Sequence, residues 1–398
     1  MQPERILQDA RGIADWIVKL RRELHQHPEL AYQEVRPSAL GRRTRDELGI
    51  AYRHPIALTG VVATLGNGQG PCVALRADMD ALPIHEESDV DFRSQVDGKM
   101  HACGHDCHTA MLLGAARLLK QLEPELHGTV KLLFQPAEEG GAGGERMCDE
   151  GALADPPVAR VFGLHVFPTI ATGHVGSRAG TFLAATGALD IAIIGRGGHA
   201  AFPHQTIDPV VTAAKLICEL QTIVSRELDP LESGVVSITT IHAGEAFNVI
   251  PPQVRMTGTI RSLTLPGLHF LQERIREIAQ HVCLANRCQA EVLFPGHDLP
   301  ATVNDAHCWE VARGLAAELI DGQNVHEIPP VMGGEDFAYY AQKVPGCFVG
   351  LGIGNEQVGS TYGLHHPKFK VDEAALPLGS SLHVAFALRS LQELRVGT

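Results

Sequence analysis

The sequence predicts an α/β protein in which a smaller α+β domain is inserted into a larger one. In the outer parts of the chain, short and almost continuously apolar strands such as 130–134 and 160–164 alternate with helical patterns. This alternation is typical of a sheet covered on both faces. Between residues 187 and 296 the order becomes β-α-β-β-α-β, the split βαβ pattern of ferredoxin-like domains. The predicted domains are therefore 1–186 with 297–398, and the insertion 187–296.

The larger domain begins with helices and continues with strands. Apolar residues at helical spacing from Ile6 to Leu24 predict one amphipathic helix, and a second is predicted over 38–48, ended by Gly49. Residues 61–65 and 72–76 are predicted strands, and the glycine-rich stretch between them indicates a hairpin-like or tight connection. The other predicted elements of this domain are helix 109–122, strand 130–134, helix 145–150, strand 160–164 and helix 304–319.

The inserted domain has four predicted strands and two predicted helices. The strands are 188–195, 234–243, 254–262 and 290–294, and the helices are 208–226 and 266–284. Because the β-α-β-β-α-β order is complete within these residues, a compact insertion is the economical interpretation.

Composition and charge exclude several classes of protein. The chain has 33 Lys and Arg against 46 Asp and Glu, and the net charge of −13 disfavours binding to nucleic acid or anionic membranes. No apolar run approaches the ~20 residues that span a bilayer, and the N-terminus lacks the pattern of a signal peptide. Nine cysteines without disulfide-scaffold spacing indicate a reducing compartment. We therefore expect a cytoplasmic protein with no nucleic-acid or membrane partner.

The densest group of reactive side chains is HACGHDCH at residues 101–108. Cys103 and His105 stand two apart just before a predicted helix, where a loop can direct both metal-binding side chains into one cleft. A closed structural zinc site, a redox thiol and surface histidines are the alternatives. We favour a catalytic metal, because a carboxylate pair follows instead of a second Cys/His pair.

That carboxylate pair is Glu138-Glu139, just beyond strand 130–134, where open parallel sheets bind their ligands. One such carboxylate can bind metal while the other transfers protons; two solvated loop acids are the alternative. His165 ends the next strand, and His365 lies near the C-terminus before a proline. Taken together, these side chains suit two metal ions that share a cleft.

The inserted domain carries three further candidates, His199, Asn248 and Arg261. A histidine, an asparagine and an arginine can polarise a carbonyl and hold a carboxylate. Turn histidines, asparagine caps and strand arginines are equally common, so both interpretations stay open on the residues alone.

These motifs together resemble the M20 metallopeptidase family. They are RADMDALP at 76–83, HACGHD at 101–106, QPAEE at 135–139, GGHAA at 197–201, NVIP at 248–251 and GGEDF at 333–337. The resemblance is to the amidohydrolase branch, which contains hippurate hydrolases, N-acyl-amino-acid deacylases and plant auxin-conjugate hydrolases. It implies a catalytic α/β domain with a two-metal site and an inserted ferredoxin-like lid. That lid would also form a homodimer, with a tetramer compatible.

The resemblance implies five metal ligands, which are Cys103, His105, Glu139, His165 and His365. His365 is chosen over His366 because the branch places its ligand directly after Leu in a Leu-His-x-Pro motif. Thiolate favours zinc, whereas carboxylates and imidazoles also accept manganese or cobalt. The expected cofactors are therefore two divalent ions per subunit, Mn²⁺, Zn²⁺ or Co²⁺.

The other implied roles concern protons and substrate. Glu138 would be the general base, and Asp80 would orient a ligand histidine. His199 would meet the developing oxyanion, in the site of the neighbouring subunit. Asn248 and Arg261 would face the substrate, with Arg261 holding its carboxylate.

The predicted reaction is metal-assisted hydrolysis of the amide bond in N-acyl amino acids such as hippurate or N-acetyl amino acids. One alternative is a thiol amidohydrolase with Cys103 as nucleophile and His105 or His165 as base. A binding protein without turnover and a zinc-stapled structural protein are the others. The candidate ligands exceed what a closed tetrahedral site uses, which opposes the last of these.

Overall fold

The computed structural model describes residues 3–66 and 68–396, and these residues divide into two compact units. Unit 1 contains the described residues up to Phe182, the segment Val303–Pro329 and the described residues from Asp336 onward. Unit 2 contains Leu183–Thr302 and Pro330–Glu335. The short segment Pro330–Glu335 therefore belongs with unit 2, although the ranges expected from the sequence assign it to the larger domain.

Strands and helices alternate along most of the chain. The strands are β1 (Ala51–Ile56), β2 (Gly60–Gly66), β3 (Cys72–Asp78), β4 (Thr129–Gln135), β5 (Val158–Ala171), β6 (Val175–Ser177), β7 (Gly180–Leu183), β8 (Ala185–Ile194), β9 (Gly198–His199), β10 (Gly234–Ala243), β11 (Val249–Ile250), β12 (Gln253–Ser262), β13 (Gln289–Leu293), β14 (Thr302–Asn304), β15 (Val325–Glu327) and β16 (Gly346–Gly354). The α-helices are α1 (Pro3–Gly12), α2 (Ala14–Gln26), α3 (Val35–Leu48), α4 (His105–Gln121), α5 (Gly143–Asp149), α6 (Pro209–Thr222), α7 (Leu265–Ala285), α8 (Ala306–Leu319), α9 (Ala338–Ala341) and α10 (Leu376–Val396).

Unit 1 contains an eight-stranded mixed sheet in the order β1-β2-β4-β3-β5-β16-β6-β15. The central strands β4, β3, β5 and β16 run parallel to one another. β3 and β4 are buried along their whole length, as their continuous apolar runs predict for strands covered on both faces. The predicted α/β fold class is confirmed.

The strands β2 and β3 do not pair as a hairpin, which is one of the two connections, hairpin-like or tight, that the sequence predicts. β4 lies between these two strands, antiparallel to β2 and parallel to β3. A glycine-rich connection has the composition of a hairpin turn whether or not its two strands pair. The order of strands in the sheet depends on which apolar strand packs between β2 and β3. The local sequence of the connection does not predict that order.

The single helix predicted at the N-terminus is two helices, α1 and α2. The chain leaves the helical conformation at Ile13, where φ is −114° and ψ is 13°. Both helices bury the apolar residues that the periodicity identified, which include Ile6 in α1 and Leu20 in α2. Because the apolar spacing continues across the break, periodicity could not locate it.

Unit 2 contains a four-stranded antiparallel sheet in the order β10-β12-β8-β13. Helices α6 and α7 pack on this sheet, and their apolar residues form a core of their own with it. This is the ferredoxin-like arrangement that the sequence predicts. The first of these helices ends at Thr222, short of the predicted residue 226, because the chain continues as a π-helical turn over Ile223–Glu227.

The longest helices of the described chain are α7 and α10, each of 21 residues. Neither these nor any other helix within residues 3–66 and 68–396 is long and apolar enough to cross a membrane.

Candidate metal centre and active site

The predicted metal ligands come together in unit 1. Glu138 and Glu139 follow β4, His105 begins α4, and Cys103 stands two residues before it. His165 does not end its strand as the sequence predicts, because β5 continues to Ala171. Because β3, β4 and β5 run parallel, the segments beyond their carboxyl ends meet at one edge of the sheet. His365 reaches the same place from the loop before α10, and its Nε2 lies 3.2 Å from Glu139 Oε1.

These side chains form two ligand groups that share Cys103. In the first group, the ligand atoms of Cys103, His105 and His165 lie within 4.8 Å of one another. In the second group, those of Cys103, Glu139 and His365 do the same. The shared Cys103 keeps the two groups close together, and these residues could hold two neighbouring divalent ions.

Hydrogen bonds fix the orientation of two of the histidine rings. His165 Nδ1 donates to the carbonyl oxygen of Val166 at 2.8 Å, so its Nε2 is directed at Cys103 Sγ, 3.3 Å away. His105 Nδ1 donates to Asp80 Oδ1 at 3.2 Å. The ring of His105 is buried, and its Nε2 has no hydrogen-bond partner among the described residues. Both rings therefore present Nε2 to the same space, as metal-binding histidines do.

Asp80 contacts two of the predicted ligands at once. Its Oδ1 accepts the hydrogen bond from His105, and its Oδ2 accepts one from the backbone N–H of Glu139 at 2.9 Å. The Asp80 side chain is buried, so these two contacts are shielded from water. They are the contacts that the predicted orienting role of Asp80 needs.

The electrostatics of the site favour a bound cation. Burial by itself would lower the pKa of His105, yet the neighbouring Asp78 and Cys103 raise it well above its usual value. Burial raises the pKa of the Cys103 thiol, and a divalent ion would favour the thiolate. With an unpartnered buried imidazole nitrogen and a donor set of thiol, imidazoles and carboxylates, the residues present fit two divalent ions.

The structure separates His365 from its neighbour His366. His365 has a left-handed backbone with φ of 63°, and its N–H donates to the carbonyl oxygen of Ala102, next to Cys103. The His366 ring instead stacks on Tyr362 with centroids 4.6 Å apart, and its Nδ1 accepts from the N–H of Lys368. Of the two histidines, His365 is the one directed at Glu139.

A buried network centred on Arg76 lies beneath the ligands, and none of its members has a role predicted from the sequence. Arg76 donates to Gln135 Oε1 at 2.8 Å, to Asp78 Oδ2 at 2.7 Å and to Asp336 Oδ1 at 2.7 Å. Gln135 Nε2 donates to both oxygens of Asp336, at 2.7 and 2.8 Å. The available signal was an arginine inside the largely apolar strand β3, which implies buried anionic partners.

Asp78 and His108 continue this network towards the ligand groups. Burial by itself would raise the pKa of Asp78, but His105, Arg76 and His108 hold it well below its usual range. His108 Nδ1 donates to Asp78 Oδ1 at 2.6 Å, and its Nε2 accepts from the N–H of Val166 at 3.0 Å. Both ring nitrogens of His108 therefore take part in hydrogen bonds, through which it supports Asp78 and the backbone of Val166.

Two of the three candidates in unit 2 lie side by side. β9 and β11 pair so that His199 is opposite Val249, and the N–H of Ala200 donates to the carbonyl oxygen of Asn248 at 3.0 Å. His199 Nδ1 accepts from the N–H of Ala201 at 3.1 Å. The proton of a neutral ring is therefore on Nε2, which can donate a hydrogen bond to a ligand.

Arg261 lies near the end of β12, in a half-buried position of unit 2. Its Nη1 donates to the carbonyl oxygen of Met332 at 2.8 Å, which orients the guanidinium. Burial lowers the pKa of Arg261, although an arginine stays charged at neutral pH. This one bond uses one of its five N–H groups, and the guanidinium can also bind an anion.

Comparison with known proteins decides the family. Residues 74–389 match the family described as peptidase family M20/M25/M40. The chain belongs to this family.

Relatives and solved structures of the M20 family cover nearly the whole chain. IAA-amino acid hydrolase ILR1-like 4 of Arabidopsis thaliana is 45% identical over 387 residues, which are 96% of this chain and 88% of the relative. An N-acetylcysteine deacetylase of Bacillus subtilis is 41% identical over 383 residues, 95% of this chain and 98% of the relative. A dinuclear metal-binding peptidase of Bacillus subtilis from the M20 family has a TM-score of 0.82 at 37% identity, and the match covers 96% of this chain and 99% of that one.

Membership of the amidohydrolase branch of M20 confirms the predicted class, a metal-dependent amidohydrolase with two divalent ions. One distance agrees with the alternative of a thiol amidohydrolase, because Cys103 Sγ lies 3.3 Å from His165 Nε2, within reach of a base. For His165 as base the electrostatics oppose it, because burial raises the pKa of the Cys103 thiol and lowers that of the His165 imidazole. A thiolate–imidazolium pair needs shifts of the opposite sign. The pKa of His105 is raised, so for His105 as base it is the raised pKa of the Cys103 thiol that opposes the mechanism.

We expect Arg76→Met to destabilise this M20 enzyme strongly. The change leaves the buried carboxylates of Asp78 and Asp336 without their shared cation, and removing one partner of a buried ion pair costs about 3–5 kcal/mol. Urea unfolding followed by circular dichroism measures the loss. Arg313→Met is the control, since the ion pair of Arg313 with Glu310 is exposed and should contribute nothing measurable. Equal stability of the two variants would contradict the role of Arg76 in the buried network.

Proposed function

We propose that the protein hydrolyses the amide bond of small N-acyl amino acids and releases a carboxylic acid and a free amino acid. The observation that carries the proposal is the pair of ligand groups sharing Cys103, with the second carboxylate of Glu138 beside them. Glu138 Oε2 lies 4.0 Å from His105 Nε2, so the acid is at the edge of the proposed metal centre. We assign Cys103, His105, Glu139, His165 and His365 as the ligands.

Bound divalent ions supply a polarising charge that lowers the pKa of water from ~15.7 towards ~7 and stabilises a developing oxyanion. The donor set accepts Zn²⁺ through its thiolate, and Mn²⁺ or Co²⁺ through its carboxylates and imidazoles. We propose one of these three as the native ion.

The chain's own residues move the protons. Glu138 takes one proton from the attacking water while the oxygen of that water bonds to the acyl carbon. His199 donates a hydrogen bond from Nε2 to the carbonyl oxygen as that oxygen becomes negative. The C–N bond then breaks, and Glu138 returns the proton to the departing nitrogen. The products are a carboxylic acid and an amine, so every atom of water and substrate is accounted for.

The proposed substrate carries a free carboxylate. The relatives are named for IAA-amino acids and for N-acetylcysteine, which are both amino acids with an acyl group on the nitrogen. Arg261 supports the assignment because a guanidinium binds a carboxylate through two parallel N–H groups. Asn248, next to His199, is proposed to contact the amide of the same substrate.

The test compares N-acetyl amino acids and hippurate with their C-terminal carboxamides. We expect the free acids to be hydrolysed with the higher kcat/KM, and Arg261→Ala to raise KM for them by about 10–100-fold, because a hydrogen bond to a charged group is worth about 1.5–3 kcal/mol. The carboxamides should be insensitive to Arg261→Ala.

Arg255→Ala is the matched control for this experiment. Arg255 lies on the same strand β12, but its side chain is exposed and paired with Asp190. Equal kcat/KM for acids and carboxamides, or an unchanged KM in Arg261→Ala, would contradict the proposed substrate class.

We also propose a homodimer formed through unit 2, with a tetramer compatible. In support, β10 is an edge strand of the unit 2 sheet, and the nearby Ile241, Phe247 and Val249 are exposed. In such a dimer, His199 would act in the site of the neighbouring subunit. Light scattering of the purified protein measures the mass, and a monomer would contradict this.

The proposed compartment is the cytoplasm. All nine cysteines are free thiols in the structure, and free thiols persist in a reducing compartment. The net charge of −13 opposes nucleic-acid partners.

A further inference from the structure

We propose that Glu34 is a positioning residue that fixes the direction of Glu138 and Glu139. This inference rests on the roles of those two acids in the proposed function. It concerns the loop 136–142, which we call the acid loop; it joins β4 to α5 and carries both glutamates.

The acid loop has a backbone that needs support from outside. Ala137 has a φ of 55° and Ala142 a φ of 51°, in the left-handed region that residues with a Cβ atom rarely adopt. Strained conformations of this kind persist only where the surroundings enforce them. Ala137 immediately precedes Glu138, so its conformation decides where the two carboxylates are directed.

Glu34 supplies that support at Ala137. Its side chain is buried, and its Oε1 accepts hydrogen bonds from the N–H of Ala137 at 2.8 Å and from the N–H of Tyr32 at 2.9 Å. Its Oε2 accepts from Thr59 Oγ1 at 2.6 Å. One carboxylate thus ties the beginning of the acid loop to the segment before α3.

Tyr32 holds the other end of the acid loop. Its hydroxyl donates to the carbonyl oxygen of Gly141 at 2.7 Å. Asp80 holds the middle of the loop through the N–H of Glu139. Glu34 and Asp80 therefore bind the backbone on either side of Glu138. Asp80 also contacts His105, a proposed ligand.

The contacts of Glu34 need oxygen acceptors and do not need a negative charge. A glutamine at this position can accept both N–H groups through its oxygen and donate from its amide nitrogen to Thr59, because a hydroxyl both donates and accepts. Burial also raises the pKa of Glu34, so its environment does not favour the ion. An alanine at this position can make none of these bonds.

The experiment measures kcat, KM and bound metal for Glu34→Ala and Glu34→Gln with an N-acetyl amino acid, at a temperature where both variants are folded. We expect Glu34→Ala to lower kcat by about 10–100-fold with KM changed less than about threefold, because displacement of a catalytic group by about 1 Å can cost 10²-fold. We expect Glu34→Gln to keep kcat within about threefold of the wild type, since the acceptor is restored.

Thr59→Val is the matched control, because it removes a side-chain contact of the same carboxylate and leaves the contact with the acid loop in place. It should lower the melting temperature and leave kcat unchanged. A wild-type kcat in Glu34→Ala, or an equal loss of kcat in Thr59→Val, would overturn the proposal. If Glu34→Ala does not fold, Glu34→Asp tests the same role, because the shorter side chain withdraws the acceptor from the N–H of Ala137. A several-fold lower kcat is then expected, and an unchanged kcat overturns the inference.

The variant Glu138→Gln distinguishes a failure of this inference from a failure of the proposed catalytic role on which it rests. If Glu138→Gln keeps its activity, the proposed role of Glu138 as the base fails and Glu34 has no catalytic group to position; if the wild type hydrolyses no N-acyl amino acid, the proposed function itself fails. If Glu138→Gln is inactive while Glu34→Ala has wild-type kcat, only the positioning role is wrong.

Discussion

Glu138→Gln should lower kcat by about 10²–10⁴-fold while the protein keeps its metal ions. Glutamine has nearly the shape of glutamate but cannot take a proton from water, so the loss falls on the chemical step. Neither of the two ligand groups that share Cys103 contains Glu138, so we expect both to bind metal in the variant. Steady-state kinetics together with metal analysis of the same sample measure both quantities.

Glu145→Gln is the control for this result. Glu145 lies in the first turn of α5, shortly after the acid loop, and belongs to neither ligand group. Its kcat should equal that of the wild type. A Glu138→Gln enzyme with two bound ions and near-normal kcat would contradict the assignment of the base.

Cys103→Ala should have the larger effect, because it removes the side chain common to both ligand groups. We expect fewer than two ions per chain and a fall in kcat/KM of about 10³-fold or more, since metal ions contribute several kcal/mol to the transition state. Metal analysis after gel filtration and kinetics with excess metal are the measurements.

Cys103→Asp separates a ligand from a nucleophile. A carboxylate oxygen binds divalent ions, so aspartate should recover metal binding and part of the activity. It cannot replace a thiol that attacks the substrate. Cys148→Ala is the control, because Cys148 lies in α5 and belongs to neither ligand group. Activity in a metal-free wild type together with a dead, metal-loaded Cys103→Asp would favour the thiol mechanism.

Much of the fold could be predicted because its signals are local. The apolar runs of β3 and β4 identify buried strands, and the order of elements within unit 2 identifies the ferredoxin-like sheet. The break at Ile13 and the position of β4 between β2 and β3 could not be predicted in this way. The position of β4 depends on packing between segments that are distant in sequence. The break at Ile13 is a change of chain direction that leaves the apolar pattern intact.

The candidate site divides in the same manner. Cys103, His105 and the two glutamates stand in motifs whose residue types suggest metal chemistry by themselves. Arg76, Asp336 and Glu34 do not, because a buried ion pair or a carboxylate bound to backbone N–H groups is visible only when the partners are known. The left-handed φ of 55° at Ala137 had no sequence signal, since glycine and not alanine is the usual residue there.

The most direct test of the two-metal account is to strip the protein with a chelator, titrate it separately with Mn²⁺, Zn²⁺ and Co²⁺, and follow hydrolysis of an N-acetyl amino acid. We predict that activity disappears on stripping, that two ions bind per chain, and that activity returns as the second ion binds. Full hydrolysis by the stripped protein would contradict the two-metal account and would favour the mechanism in which Cys103 is the nucleophile.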